Sequence, residues 1–316
     1  MLRVFQKRGG VFKGASLASF SNDALTWVDC VAPGPEEITH LEKLLSLPKD
    51  RLHDYLYKEF RPHILPSKEL SIVTISVLFE KKEGTGRAPI TAFLLNKRKI
   101  VTIRTQENPI TTMVEKLMYD NPGSFTSSGS FLYHFIDEMI EQAFGMVETL
   151  DDQLIFLENA SFEHPTPFVM KRNYELKRNL VNIHKNLLAN REVLVFIDRS
   201  VVPQLDDVQP FRFLYNDIGQ VIEITDTYRE VLTDIIEIYL TAIDTNLNDI
   251  VKRLSAWGSL ILIPTLIASI YGMNFNHDWP LNMPELNWQY GYFFALGLMI
   301  ASATALFIYF KRKRWI

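Results

Sequence analysis

Leu254–His277 reads LSAWGSLILIPTLIASIYGMNFNH, and Leu286–Phe310 reads LNWQYGYFFALGLMIASATALFIYF. Neither stretch contains Asp, Glu, Lys or Arg. Crossing a hydrocarbon core of about 30 Å takes roughly 20 predominantly apolar residues, so each run is long enough to span a bilayer. Trp257, Trp288, Tyr290, Tyr292 and Tyr309 fall near the ends, where an interfacial aromatic belt forms. A buried core helix is a poor alternative for two such runs in the last fifth of the chain.

Lysine and arginine set the orientation. Lys252 and Arg253 precede the first run, and Lys311-Arg312-Lys313-Arg314 follow the second. The intervening loop carries only Asp278 and Glu285 as formal charges. Positive-inside reasoning therefore predicts a multi-pass protein of the cell (inner or plasma) membrane, with both termini cytoplasmic and the short loop outside. The opening residues Met1-Leu2-Arg3-Val4-Phe5-Gln6-Lys7-Arg8 lack the apolar core of a secretory signal. They read instead as a strand leading to a turn at Gly9-Gly10.

Composition excludes several classes. The net charge of −4 argues against a nucleic-acid partner. One cysteine, Cys30, leaves no disulfide within a chain. No dinucleotide fingerprint, Walker loop, nucleophile elbow or kinase motif occurs, so no nucleotide partner, no resident cofactor and no enzymatic constellation are expected. Gly84-Thr85-Gly86-Arg87 is too short for a phosphate loop and is read as a hairpin turn.

Ahead of the membrane, residues 1–121 read as a small α/β region. Leu70–Phe79 alternates and is rich in β-branched residues, and Ile90–Leu95 and Ile100–Ile103 repeat the pattern. Gly34-Pro35-Glu36-Glu37 opens a helix running to about Ser46. From 122 to 253 the chain is helical. Phe131–Ala160 and Phe168–Arg199, separated by Pro165 and Pro167, form an antiparallel hairpin. A third helix starts after Pro210 and, if continuous to Met273, is about 95 Å long at 1.5 Å per residue. Such a rod needs neighbours to bury its apolar side, so self-association is expected. The fold class is an α+β cytoplasmic domain of α/β/α sandwich type, then a stalk helix and two C-terminal spans. The spans are placed at 254–273 and 290–310, with a loop at 274–289 and a basic tail at 311–316.

One line of residues runs down the long helix. Steps of three and four from Glu223 and Glu230 lead through Asp234, Glu237, Thr241, Asp244, Asn248, Val251, Ser255, Gly258, Leu262, Thr265, Ser269 and Gly272. Before the membrane this line is acidic, and within it the residues are mostly small or hydroxyl-bearing. A solvated surface and simple small-residue helix packing explain each half separately. An acidic vestibule continuing into a narrow, weakly polar lumen explains both at once, and it is how a cation path is built.

The first run ends Tyr271-Gly272-Met273-Asn274-Phe275, and the loop ends Met283-Pro284-Glu285-Leu286. Here the chain resembles the CorA family of magnesium transporters, whose signature is Gly-Met-Asn at the end of the first of two spans. Met-Pro-Glu-Leu, the pre-membrane Asn248, Lys252 and Leu254, and the basic tail also look like that family. The resemblance implies a homopentameric funnel embedded in membrane lipid, with the first span lining a central pore. It also implies passive influx of Mg²⁺, with Co²⁺ and Ni²⁺. Gly272, Met273 and Asn274 would form the selectivity filter, with Asn274 contacting the hydrated ion. Two departures stand out. Val251 occupies a position where the family often has methionine. The 276–282 stretch is longer than usual, and is read as a neutral insertion rather than as a shift toward softer metals through His277.

Physical chemistry extends the expectation. Mg²⁺ sheds water reluctantly, so amide carbonyls that hydrogen-bond its water shell suit conduction better than a carboxylate cage. Asp278 and Glu285 would concentrate cations outside, while Glu237, Asp244 and Asn248 would receive the metal below. Val251, Leu254 and Leu262 would close the lumen by dewetting. Intracellular Mg²⁺ bridging facing carboxylates would hold the closed state. Two rival readings are a zinc-selective relative of the ZntB type and a membrane-anchored oligomeric sensor or scaffold.

Overall fold

The computed structural model describes residues 1–21, 23–57, 61–81, 84–199, 202–274 and 283–316. They form two compact units, Met1–Ser161 with Thr166–Ile236, and Phe162–Pro165 with Glu237–Ile316.

The first unit is built on a seven-stranded mixed sheet. Its strands are β1 (Leu2–Arg8), β2 (Val11–Gly14), β3 (Thr26–Val31), β4 (His63–Leu65), β5 (Ser71–Lys81), β6 (Gly84–Asn96) and β7 (Lys99–Arg104), in the spatial order β2-β1-β3-β7-β6-β5-β4. Gly9 and Gly10 take positive φ angles of 59° and 87°, which glycine adopts without a Cβ penalty, and this turns β1 back into β2 as expected. β3 and β7 pair in parallel, and every other neighbouring pair is antiparallel.

Side chains alternate across the pleat, so one strand supplies two cores. Val28, Cys30, Ile72, Phe93, Val101 and Ile103 face Leu41 and Leu45 of α1 (Pro35–Leu45) and Leu52 and Leu56 of α2 (Lys49–Tyr57). Trp27, Val73, Ile75, Ile90, Leu94 and Ile100 face the other way. There they meet α3 (Pro109–Asp120), α4 (Ser128–Glu163), α5 (Pro167–Arg199) and the start of α6 (Gln209–Tyr271), through Val114, Phe131, Leu187 and Phe211 among others. Helices on both faces make the α/β/α arrangement. Each fully buried Leu, Ile or Phe contributes about 1.5–3 kcal/mol of transfer free energy.

A polar chain crosses the second of these cores. Asp29, fully buried, receives Arg104 at 2.7 Å, Arg3 at 2.8 Å and the Thr102 hydroxyl at 2.9 Å, while Trp27 Nε1 donates to Thr102 at 2.9 Å. Cys30, next in the strand, is buried on the opposite face of the sheet, and desolvation pushes its thiol up to about 12, leaving it an inert apolar residue.

The α4–α5 hairpin clamps the start of the long helix. Leu150, Leu154 and Leu157 of α4 and Val169, Leu176 and Leu180 of α5 close on Leu232 and Ile235 of α6, and Asn173 Nδ2 donates to the Leu232 carbonyl at 3.0 Å. α6 is a single helix of 63 residues that continues through Pro264, matching the expected rod. One expectation fails. Gly84–Arg87 are not a turn but paired residues of β6, opposite Lys81–Leu78. Ladder hydrogen bonds use only backbone groups, so the glycines there weaken the strand without ending it.

Candidate functional site

In the second unit, α6 and α7 (Gly291–Arg312) each carry a window long and apolar enough to cross a membrane, and almost none of either window is buried. The 254–273 and 290–310 spans fall inside these helices, apart from Gly272, Met273 and Tyr290 at their ends.

The placement of the stripe follows from helix geometry. From Glu237 to Gly272 every stripe residue is exposed: Glu237, Thr241, Asp244, Asn248, Val251, Ser255, Gly258, Leu262, Thr265, Ser269 and Gly272. Within the apolar segment the covered positions are Ala256, Ser259, Leu260, Ile263, Pro264, Ile267 and Tyr271, centred on the Ala256–Ile263–Ile267 side. At about 100° per residue these two sets lie on opposite sides of the helix. The stripe is thus the side of α6 turned farthest from what the chain itself covers. Leu254 and Leu262, at 72% and 66% exposure, lie on it and pack against nothing that hides them.

The hydroxyls on this side are oriented by the helix. Thr265 Oγ1 donates to the Ile261 carbonyl at 2.8 Å, and Ser269 Oγ donates to the Thr265 carbonyl at 2.8 Å. With their protons committed to the backbone, these oxygens present lone pairs outward, the polarity that suits a cation. The helix then tightens and stops. Gly272 N–H bonds the Ala268 carbonyl at 2.9 Å and Met273 N–H bonds the Ile270 carbonyl at 3.1 Å, leaving Asn274 exposed beyond the last turn.

Glu285 lies in a 3₁₀ turn, Pro284–Asn287, entered through Met283 with φ 42°. Its carboxylate is half-buried and hydrogen-bonded by the Tyr271 side chain at the end of α6. This tethers the Met-Pro-Glu-Leu segment to the end of the first span, a contact that spacing in the sequence did not reveal. Gly291 was missed as well. A Cβ there would collide with the Glu285 carbonyl oxygen, so only glycine lets α7 begin against that turn. Asp278, proposed with Glu285 as a cation-attracting charge, and His277 lie outside the described residues. Among the described residues, no group of three or more His, Cys, Asp or Glu is arranged to hold a metal ion.

The fold and the stripe together define a class, a two-span membrane protein whose first span is the end of a long helix rising from an α/β domain. Comparison with known proteins then gives the family. A family model for "CorA-like Mg2+ transporter protein" matches residues 22–312, and the chain belongs to that family. It is 28% identical over 306 residues to the cobalt/magnesium transport protein CorA of Methanocaldococcus jannaschii, covering 94% of this chain and 93% of that one. It is 34% identical over 187 residues to the protein of the same name from Thermotoga maritima, a match covering 58% of this chain and about half, 52%, of that one. The complete structure of the M. jannaschii CorA magnesium transporter superposes with a TM-score of 0.87 at 26% identity, covering 100% of this chain and 99% of that one.

Proposed function

We propose that this chain forms a passive channel for divalent cations, Mg²⁺ foremost and Co²⁺ and Ni²⁺ besides. In this reading several copies, five by family resemblance, place the stripe side of α6 around a common axis. The observation that carries it is the opposition of two faces. In the apolar segment the side of α6 opposite the covered Ala256, Ile263 and Ile267 carries Ser255, Gly258, Thr265, Ser269 and Gly272, all of them exposed. A helix facing lipid on that side would expose hydroxyls and glycines to hydrocarbon, where polar groups are unfavourable.

The steps follow from the residues. Glu285 and Asp278, the two acidic residues of the loop, raise the local cation concentration at the outer mouth by a field that salt screens. The Asn274 amides accept hydrogen bonds from the ion's water shell, selecting a hydrated divalent ion and leaving its inner waters in place. Thr265 and Ser269 offer oxygen lone pairs along the lumen. Leu262, Leu254 and Val251 form apolar rings that close by dewetting, and Asn248, Asp244 and Glu237 receive the ion on the cytoplasmic side. Mg²⁺ also acts as regulatory ligand, screening facing carboxylates of neighbouring copies and favouring the closed arrangement. Both termini are cytoplasmic, as the lysines and arginines flanking the spans require.

Replacing Asn274 by alanine tests the reading. Purified protein in liposomes loaded with a Mg²⁺-sensitive dye should lose uptake, while light scattering shows the same oligomer as the parent chain. Undiminished Mg²⁺ uptake through the Asn274→Ala protein would refute it.

A further inference from the structure

Between α5 and the β5–β6 hairpin the first unit holds a cleft of about 680 Å³ that plays no part in conduction as described. Its volume is within the usual range of small-molecule sites, about 300–1,000 Å³. Among the described residues the rim carries Arg61, Arg87 and Lys185, with Glu192 as the lining carboxylate. Among the described residues neither Arg61 nor Lys185 forms an ion pair. This positive charge runs against its surroundings, because α4, the other arm of the hairpin, contains eight carboxylates and no lysine or arginine.

The floor is rigid and neutral. Asn186 Nδ2 donates to Ser76 Oγ at 2.7 Å, and Asn190 Nδ2 donates to the Ser76 carbonyl at 2.9 Å. The Ser76 amide returns a bond to Asn190 Oδ1 at 3.0 Å. These buried groups satisfy one another, so recognition falls to the rim cations. Guanidinium and ammonium groups converging on one cleft match the oxygens of a phosphate. Among the described residues no aromatic ring lines the cleft, so none of them would stack a nucleobase.

We propose that this cleft binds a multiply charged phosphate anion, recognised by its diphosphate or longer polyphosphate group and not by an attached base. Arg87 and Arg61 grip oxygens in fork geometry and Lys185 supplies a point charge. Glu192 sets an upper limit on affinity by repelling the ligand.

Isothermal titration of the full-length protein in detergent with inorganic pyrophosphate, in metal-free buffer, tests this. One site per chain is expected, with binding that weakens as salt rises. Arg87→Ala and Lys185→Ala should each weaken it by about tenfold, the loss of one charge-assisted contact. Glu192→Gln should tighten it, a gain that misfolding does not produce. A chain with Lys311, Arg312, Lys313 and Arg314 changed to glutamine should bind as the parent does. Absence of binding at millimolar pyrophosphate overturns the proposal, as does equal affinity in the Arg87 and Lys185 variants, or loss of binding in the tail variant alone.

Discussion

Asp137 is an electrostatic liability that a single substitution should relieve. It sits on α4 in the company of Glu138 and Glu141 on the same helix, with Asp217 of α6 opposite, and burial together with these three carboxylates raises its carboxyl from 3.8 to about 6. Each tenfold change in proton affinity is about 1.4 kcal/mol, so the folded chain holds this proton with an advantage of about 3 kcal/mol over the unfolded one. The carboxyl is part-exposed and solvent screens the repulsion, which reduces the figure to about 1–2 kcal/mol. The sign follows from linkage. An acid whose folded value is raised contributes its stability at low pH, and that contribution is lost as pH climbs from 3.8 through about 6. Asp137→Asn, neutral at every pH, should therefore stabilise the protein at pH 8 by the full amount and by about a third of it at pH 4.5. For a unit of this size about 1–2 kcal/mol corresponds to an apparent Tm rise of roughly 3–6 °C. Scanning fluorimetry of the detergent-solubilised protein at both pH values reads the difference. An equal shift at the two pH values, or a loss of stability at pH 8, would show that charge repulsion is not what the substitution removes.

Three further outcomes follow from other contacts. Arg104→Met leaves the buried Asp29 with only Arg3 and Thr102, and should cost about 3 kcal/mol, seen as a lowered Tm; adding Asp29→Asn should recover part of that loss, and a double variant weaker than the single one would contradict the pairing. Gly291→Ala forces a Cβ onto the Glu285 carbonyl, a local strain of about 1–3 kcal/mol, so Mg²⁺ uptake in liposomes should fall while Gly297→Ala, which meets open space, leaves it intact. Leu254→Ser wets one of the proposed apolar rings, and uptake measured at high internal Mg²⁺, where the proposed gate closes, should rise several-fold over the parent chain; unchanged uptake there would remove Leu254 from the gate.

The sequence was most legible where local chemistry and periodicity agree. Uncharged runs gave the two spans, and a three-four step gave a stripe whose positions are all exposed on one side of α6. The turn at Gly9-Gly10 and the helix opened by Pro35 were readable because glycine and proline act within a residue or two. Five elements escaped, the four-residue strand β2 after the turn among them. β3 is buried at all six positions and so shows no alternation, although its sequence TWVDCV includes a buried aspartate that looks like a surface residue until Arg104 is placed beside it. β4 is only three residues long. α2 is polar and short, and α3 is short, amphipathic and opened by Asn108, whose side chain caps the Thr111 amide.

The residues missed at the functional end share a physical cause. Gly291 and Tyr271 matter because of contacts with Glu285, six and fourteen positions away across a turn and a loop, and nothing in the spacing of a glycine or a tyrosine encodes such a neighbour. The stripe, by contrast, is a property of one helix and needs no knowledge of its partners. A filter held only by the end of α6 would let Asn274 fray with the last helical turn. Anchoring Tyr271 to Glu285, and seating Gly291 against the carbonyl of that same residue, joins the ends of both spans through one turn. Asn274 is then positioned by two helices although only one carries it, and the proposed role, an amide selecting an ion by the geometry of its water shell, would require such support.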